Sequence, residues 1–286
     1  MTGARPPLLR RFLQAGIVPR LVAILVGVPC LYVITDRGDV FFLLLVDLII
    51  LLGLTEFFHF MEAKGFRPSR LLGYAAAVAV TLHVFHGGPA LTLIVTAILV
   101  LIMIREVFRP HVEEALTNIA VTVLGVMYVG WLGSHFVLLR ELPSSRGLDD
   151  SLGAELVFFA ALMIWACDTA AYVVGILIGG RKLIPHVSPS KTWSGAIGGV
   201  AGGVLAGWLG AITFLDVVTP LAGGLLGLAS AVLGQLGDLV ESLLKRDAGL
   251  KDSAQLIPGH GGILDRVDSL LFTVPMLYYW FRFVGL

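Results

Sequence analysis

Residues 40–60 read VFFLLLVDLIILLGLTEFFHF, an apolar run broken only by one glycine and by Asp47, Thr55, Glu56 and His59. About 20 mostly apolar residues suffice to carry a helix across the hydrocarbon of a bilayer. The run is continuously apolar and does not alternate, which favours a helix over a barrel strand. Lipid offers the backbone no hydrogen-bond partners, so only helices and closed barrels span it. The rest of the chain repeats the pattern. Further apolar runs at 21–35, 71–86, 89–104, 119–139, 156–178, 194–215, 221–240 and 269–285 bring the expectation to about nine transmembrane helices. The fold class is therefore read as all-α, a polytopic integral membrane protein.

Composition agrees. Of 286 residues 57% are hydrophobic and 14% charged, against roughly 25% charged in soluble domains. A soluble surface could not cover that much apolar area. Basic and acidic residues balance at 20 each, which gives no sign of a nucleic-acid partner. Cys30 and Cys167 both lie in apolar stretches; they are read as packing residues, too few for a disulfide framework or a zinc site. The arginine-bearing start could introduce a signal peptide, but Asp36-Arg37-Gly38-Asp39 follows where a small-residue cleavage site would stand. The first apolar run is read as a span instead.

Orientation follows from where the basic residues fall. With nine spans and the N-terminus inside, 16 of the 20 basic residues are cytoplasmic, and Arg37, Arg140, Arg146 and Arg282 are left outside. Residues 7–19 form either an interfacial helix or a disordered leader. The polar loop 141–154 divides the chain into an N-terminal half, 1–150, with about five helices, and a C-terminal half, 151–286, with about four. Glycines cluster inside spans, as at 195–203, where small residues let helices approach closely.

Two segments of the second half carry chemistry. The first runs from Ser242 to Asp268, SLLKRDAGLKDSAQLIPGHGGILDRVD, between the last two spans. It holds Lys245, Arg246 and Lys251, a Pro-Gly-His-Gly-Gly turn, then Asp265, Arg266 and Asp268. A glycine-rich turn before a helix can present backbone N–H groups to a phosphate. Asp265 and Asp268 are three residues apart and share a face on a helix, with Arg266 pointing elsewhere. Two carboxylates on one face suit a hard cation such as Mg²⁺. Asp238, at the end of the preceding span, lies near the same membrane face. The second segment holds Asp168, well inside a span, where a carboxylate needs a cation, a lysine or a proton. It continues to Ser188-Pro-Ser-Lys-Thr192, a cytoplasmic loop that opens a helix; its hydroxyls can cap that helix, and Lys191 can meet a phosphate. Glu56 and His59 are read as a structural hydrogen-bonded pair without a functional role.

The combined pattern resembles the phosphatidate cytidylyltransferase (CDP-diacylglycerol synthase) family. The 242–268 segment is similar to that family's signature over its whole length: S-x-x-K-R, four residues, K-D, then P-x-H-G-G-x-x-D-R-x-D. Asp168-x-x-Ala-Tyr172 and Ser188-Pro-x-Lys-Thr192 are similar to upstream motifs in the expected order. One departure is Ser194, where many members carry glutamate or glutamine, which puts any acidic role there in doubt. The resemblance implies transfer of CMP from CTP to phosphatidate, giving CDP-diacylglycerol and pyrophosphate. It also implies Mg²⁺, with a second, monovalent cation near it, a homodimer, and a bacterial inner membrane with the site facing the cytoplasm.

On that resemblance, Asp238, Asp265 and Asp268 are expected to bind metal, with Asp168 orienting a cation or a lysine. Lys245, Arg246, Lys251 and Arg266 are expected on phosphates, and Asp252 falls within the same signature. His260, Gly261 and Gly262 would shape the triphosphate pocket, and Ser188, Lys191 and Thr192 would close it. Phosphatidate would enter from the inner leaflet. A CTP-dependent lipid kinase and a secondary transporter are the competing readings. The transporter predicts paired broken helices in two similar halves, a pattern absent from the sequence.

Overall fold

The computed structural model describes residues 17–110, 112–250 and 262–285, with side chains from residue 27 onward. Its helices, in chain order, are α1 (Ile17–Arg37), α2 (Asp39–Ala63), α3 (Arg70–His86), α4 (Leu91–Val107), α5 (Ala115–Ser145), α6 (Ser151–Ile178), α7 (Trp193–Thr213), α8 (Pro220–Asp247) and α9 (Leu264–Trp280). Helix α5 carries a π turn at Val126–Trp131. Each expected apolar run is helical. Among the described residues, α2, α5, α6, α7 and α8 are long and apolar enough to cross a membrane, and α3 is a shorter apolar helix. The protein is an all-α integral membrane protein, with five such spans by length and composition among the described residues.

Two features depart from the sequence reading. The segment after α6 is a small antiparallel hairpin, with β1 (Lys182–Ile184) paired to β2 (Ser188–Thr192). The motif expected as a loop is thus a strand, and its last residue caps α7: Thr192 Oγ1 accepts from Gly195 N at 3.1 Å. The second departure is at α8, which runs on to Asp247 instead of ending near 240. Lys245 and Arg246 are therefore on a helix, with Lys245 in register with Asp238 and Glu241. Thr219 starts that helix by accepting from Ala222 N at 3.3 Å, with Pro220 at the first helical position.

Two apolar cores hold the bundle. One joins α2, α3 and α5 to Leu264, Val267 and Leu271 of α9. The other joins α5, α6, α7 and α8 to Leu270, Val274 and Leu277 of the same helix. Helix α9 thus packs into both, which fixes its N-terminal turn between the two halves. Glycine sets the α7–α8 spacing. A Cβ on Gly207 would lie 2.1 Å from the Gly223 carbonyl oxygen, so only glycine permits that approach. Cys167 is buried as expected, whereas Cys30 is exposed on the flank of α1.

Candidate active site

Three elements meet at one end of the bundle: β2, the C-terminal turns of α8 and the first turns of α9. On α8, Asp238, Glu241 and Lys245 follow at spacings of three and four, which places them along one face. Lys191 of β2 forms an ion pair with Asp238. Lys245 pairs with Glu241 at 3.2 Å and with Asp265 of α9. Asp268, one turn further along α9, is buried, and its Oδ1 accepts from Ser269 N at 2.6 Å. The approach of α8 to α9 depends on Gly237, where a Cβ would fall 2.6 Å from the Asp268 carbonyl oxygen. That glycine brings Asp238 beside the acidic turn of α9.

Glu241 did not emerge from the sequence as a site residue. It is 1% exposed. Its Oε1 is buried without a hydrogen-bond partner, while Oε2 meets Lys245. It lies close enough to Asp265 and Asp268 for like charges to act on one another. Its spacing from Asp238 and Lys245 was the available signal. Among the described residues, no three Asp, Glu, His or Cys side chains converge as placed on one metal position. The carboxylates are instead shared between two lysines, Asp238 with Lys191 and Asp265 with Lys245.

Beside this charged cluster lies a cavity of 390 Å³ between α6, β2, α7 and α8. Asp168, Lys191, Thr192, Gln235 and Asp238 supply its polar wall, and Tyr172 and Ile176 of α6 its apolar one. Asp168 is exposed toward this space rather than enclosed in the bundle. Ser188 and Thr192 are buried in the hairpin. Arg246 donates from Nε to the Val187 carbonyl at 3.4 Å, tying α8 to that hairpin. Ser194, the position that departs from the family pattern, donates to the Gly179 carbonyl and lies 3.1 Å from Thr192 Oγ1. It holds the hairpin onto the end of α6. Gly262 N donates to Asp265 Oδ2 at 3.3 Å, and Arg266 is exposed. Lys251, Asp252, His260 and Gly261 lie outside the described residues.

The expected Glu56–His59 pair is not what the structure shows. His59 is exposed. Glu56 is fully buried and reaches α9, where Oε1 accepts from Ile263 N at 2.7 Å and Oε2 from Leu264 N at 2.9 Å. The first N–H groups of a helix have no partner within it, and that end carries partial positive charge. A buried carboxylate from α2 therefore satisfies and fixes the turn that carries Asp265 and Asp268.

A family model described as "Cytidylyltransferase family" matches residues 18–284. The chain is 35% identical to the phosphatidate cytidylyltransferase of Synechocystis sp., over 91% of this chain and 95% of the relative. It is 43% identical to that of Bacillus subtilis over 54% of this chain and 55% of the relative. With the corresponding protein of Staphylococcus aureus it shares 31% identity over 90% of this chain and 94% of the relative. The match runs through every helix and both site segments, and the chain belongs to the cytidylyltransferase family.

Proposed function

We propose that this chain transfers CMP from CTP to phosphatidate, releasing pyrophosphate and forming CDP-diacylglycerol. The relatives' shared name and the membrane-spanning helices support that pairing of a nucleotide with a lipid substrate. The observation that carries the reading is the meeting of Lys191, Asp238, Glu241, Lys245, Asp265 and Asp268 at one end of the bundle, beside a cavity with one polar and one apolar wall.

A phosphatidate phosphate oxygen attacks the α-phosphorus of CTP. The new P–O bond forms as the bond from the α-phosphorus to the bridging β-phosphate oxygen breaks, and pyrophosphate leaves. The attacking oxygen is already anionic, so the site needs little general-base assistance. Its work is to hold two anions together and to stabilise charge on the departing group. Lys191 and Lys245 bring ammonium groups to this point, Lys191 beside Asp238 and Lys245 between Glu241 and Asp265. Arg246 and Arg266 would contact the outer phosphates. Asp168 lines the cavity with Lys191, where it would orient a cation or that lysine.

The donor set fits a hard divalent cation, which takes carboxylate oxygens and keeps positions for water and phosphate. The unpartnered buried Oε1 of Glu241 is such a donor. Asp238, Asp265 and Asp268, joined by Glu241, would hold Mg²⁺ once Asp238 and Asp265 exchange their lysine partners for it. Bound there, Mg²⁺ would neutralise charge on the pyrophosphate. A monovalent cation beside it, a homodimer, and a site on the cytoplasmic face of a bacterial inner membrane complete the proposal.

Mass identification of the products from CTP and phosphatidate with purified protein tests the reaction. CDP-diacylglycerol with pyrophosphate is expected. CDP with a further phosphorylated lipid would establish a kinase instead.

A further inference from the structure

A second polar cavity, of 640 Å³, opens between the α2–α3 connection and the α4–α5 connection. Arg67, Arg105, Arg109 and Asn118 line it, together with Glu113 and Glu114. It lies at the same end of the bundle as the charged cluster, because Lys64, three residues before Arg67, pairs with Asp247 at the end of α8. None of its residues belongs to the proposed transfer site.

The wall is built rather than incidental. Glu106 is buried beneath the arginines, 3.0 Å from Arg109 Nη1 and 3.5 Å from Arg105 Nη1. Asn118 joins the sides, donating to Glu106 Oε1 at 3.0 Å and accepting from Arg67 N at 2.7 Å. Arg109 also donates to the Arg67 carbonyl at 2.5 Å. Yet Arg109 Nη1 is buried without a hydrogen bond of acceptable geometry. Burial and then the neighbouring Arg105 push the Arg109 guanidinium below its ordinary pKa. Among the described residues, no ion pair joins Glu113 or Glu114 to the three arginines. Glu106 thus pairs with two of the three arginines that line the cavity, and the planar forks of such guanidinium groups suit phosphate oxygens.

The rim identifies the source of the phosphate. Val107, Phe108, Val112 and Leu116, which neighbour the lining residues in sequence, are 80–88% exposed. They continue the apolar surface of α4, where Met103 and Ile104 are also exposed. A free anion needs no such border, whereas a phospholipid puts acyl chains beside its phosphate. We propose that this cavity binds the phosphate of an anionic phospholipid headgroup, at a site separate from the one that carries out CMP transfer.

The test uses the full chain in nanodiscs of phosphatidylcholine, with and without phosphatidylglycerol, which serves as a probe because it lacks the phosphomonoester of phosphatidate. Retained lipid is counted by native mass spectrometry and thermal unfolding is followed in parallel. The variant is Arg67→Gln with Arg105→Gln. Both side chains are exposed, and Arg109, which ties the wall together, is kept. The wild type is expected to retain phosphatidylglycerol and to unfold at higher temperature in its presence. The variant is expected to bind it about fivefold more weakly for each arginine removed, with CMP transfer unchanged. Equal retention by both proteins overturns the proposal. So does an equal rise in unfolding temperature with inorganic phosphate alone, which would assign the cavity to a free anion. If the variant fails to fold, the wild type decides: no difference between the two nanodisc compositions overturns the site.

Discussion

The Glu56 carboxylate and the Leu264 amide lie 2.9 Å apart, although 208 residues separate them in sequence. This contact joins a helix of the first half to the acidic turn of the last helix, and with the Ile263 contact it fixes where Asp265 and Asp268 begin. Hydrogen bonds to a charged group contribute about 1.5–3 kcal/mol. Glu56→Gln replaces one acceptor with a donor that faces an N–H. We expect a lower unfolding temperature in detergent and a fall in kcat of about 10- to 100-fold, the scale of a small misplacement of reacting groups. Glu56→Asp, which keeps the charge on a shorter stem, is expected to fall between. An unchanged kcat in Glu56→Gln would remove Glu56 from the positioning of this site.

Lys245 stands between two carboxylates, one of them fully buried. Removing one partner of a buried ion pair costs about 3–5 kcal/mol because the other charge is left alone. Lys245→Met is expected to destabilise the protein by that order and to abolish transfer. Adding Glu241→Gln to it removes a stranded charge and is expected to recover stability but no activity. Recovery of activity in the double variant would show that Lys245 acts only in folding.

Gly237 and Gly224 lie on the same helix in different surroundings. A Cβ at 237 meets the Asp268 carbonyl oxygen at 2.6 Å, whereas one at 224 meets only Val204 Cγ1 at 3.9 Å. Gly237→Ala is expected to separate α8 from α9 and lower transfer at least about tenfold, a sub-ångström displacement sufficing for that. Gly224→Ala is expected to leave the rate unchanged. Equal rates in the two variants would contradict the packing described here.

At the other end of the bundle, Arg140 is fully buried and donates to the Thr35 carbonyl at 2.6 Å and to Asp150 at 2.8 and 2.9 Å. Hydrogen bonds from Arg140, and then from Ser144, hold the Asp150 carboxyl down at about 2 from its ordinary 3.8. The group is more acidic when folded, so its contribution is complete above pH 3.8 and declines as the pH falls toward 2. Thermal unfolding in detergent is expected to separate wild type from Asp150→Asn near pH 7. The gap is expected to narrow below pH 4. A gap constant over that range would mean that Asp150 titrates normally.

Lipid made the helices readable, because a segment such as 40–60 has no other place to bury its apolar side chains. The end of α8 was not readable in the same way. Glu241, Lys245 and Arg246 are polar, and polarity after an apolar run resembles a loop, yet Lys245 continues the helix and stabilises it through its i,i+4 partner. The motif spacings brought Lys191, Asp238, Lys245 and Asp265 into consideration, and the fold brings them together in two ion pairs. Glu56 was out of reach, since its partners are backbone N–H groups of another helix, which carry no residue-type signal. The 188–192 strand escaped because Ser-Pro-Ser-Lys-Thr has turn chemistry, and its pairing depends on the three residues of β1.

The most direct measurement follows CTP labelled at the α-phosphorus, incubated with phosphatidate and either wild-type protein or Asp265→Asn, each verified as folded by thermal unfolding in detergent. Wild type is expected to move the label into CDP-diacylglycerol, and Asp265→Asn to do so at least about 100-fold more slowly, the scale of losing one electrostatic group from such a site. Label reaching the lipid at a near-normal rate in Asp265→Asn would contradict the assignment of this acidic turn to the reaction.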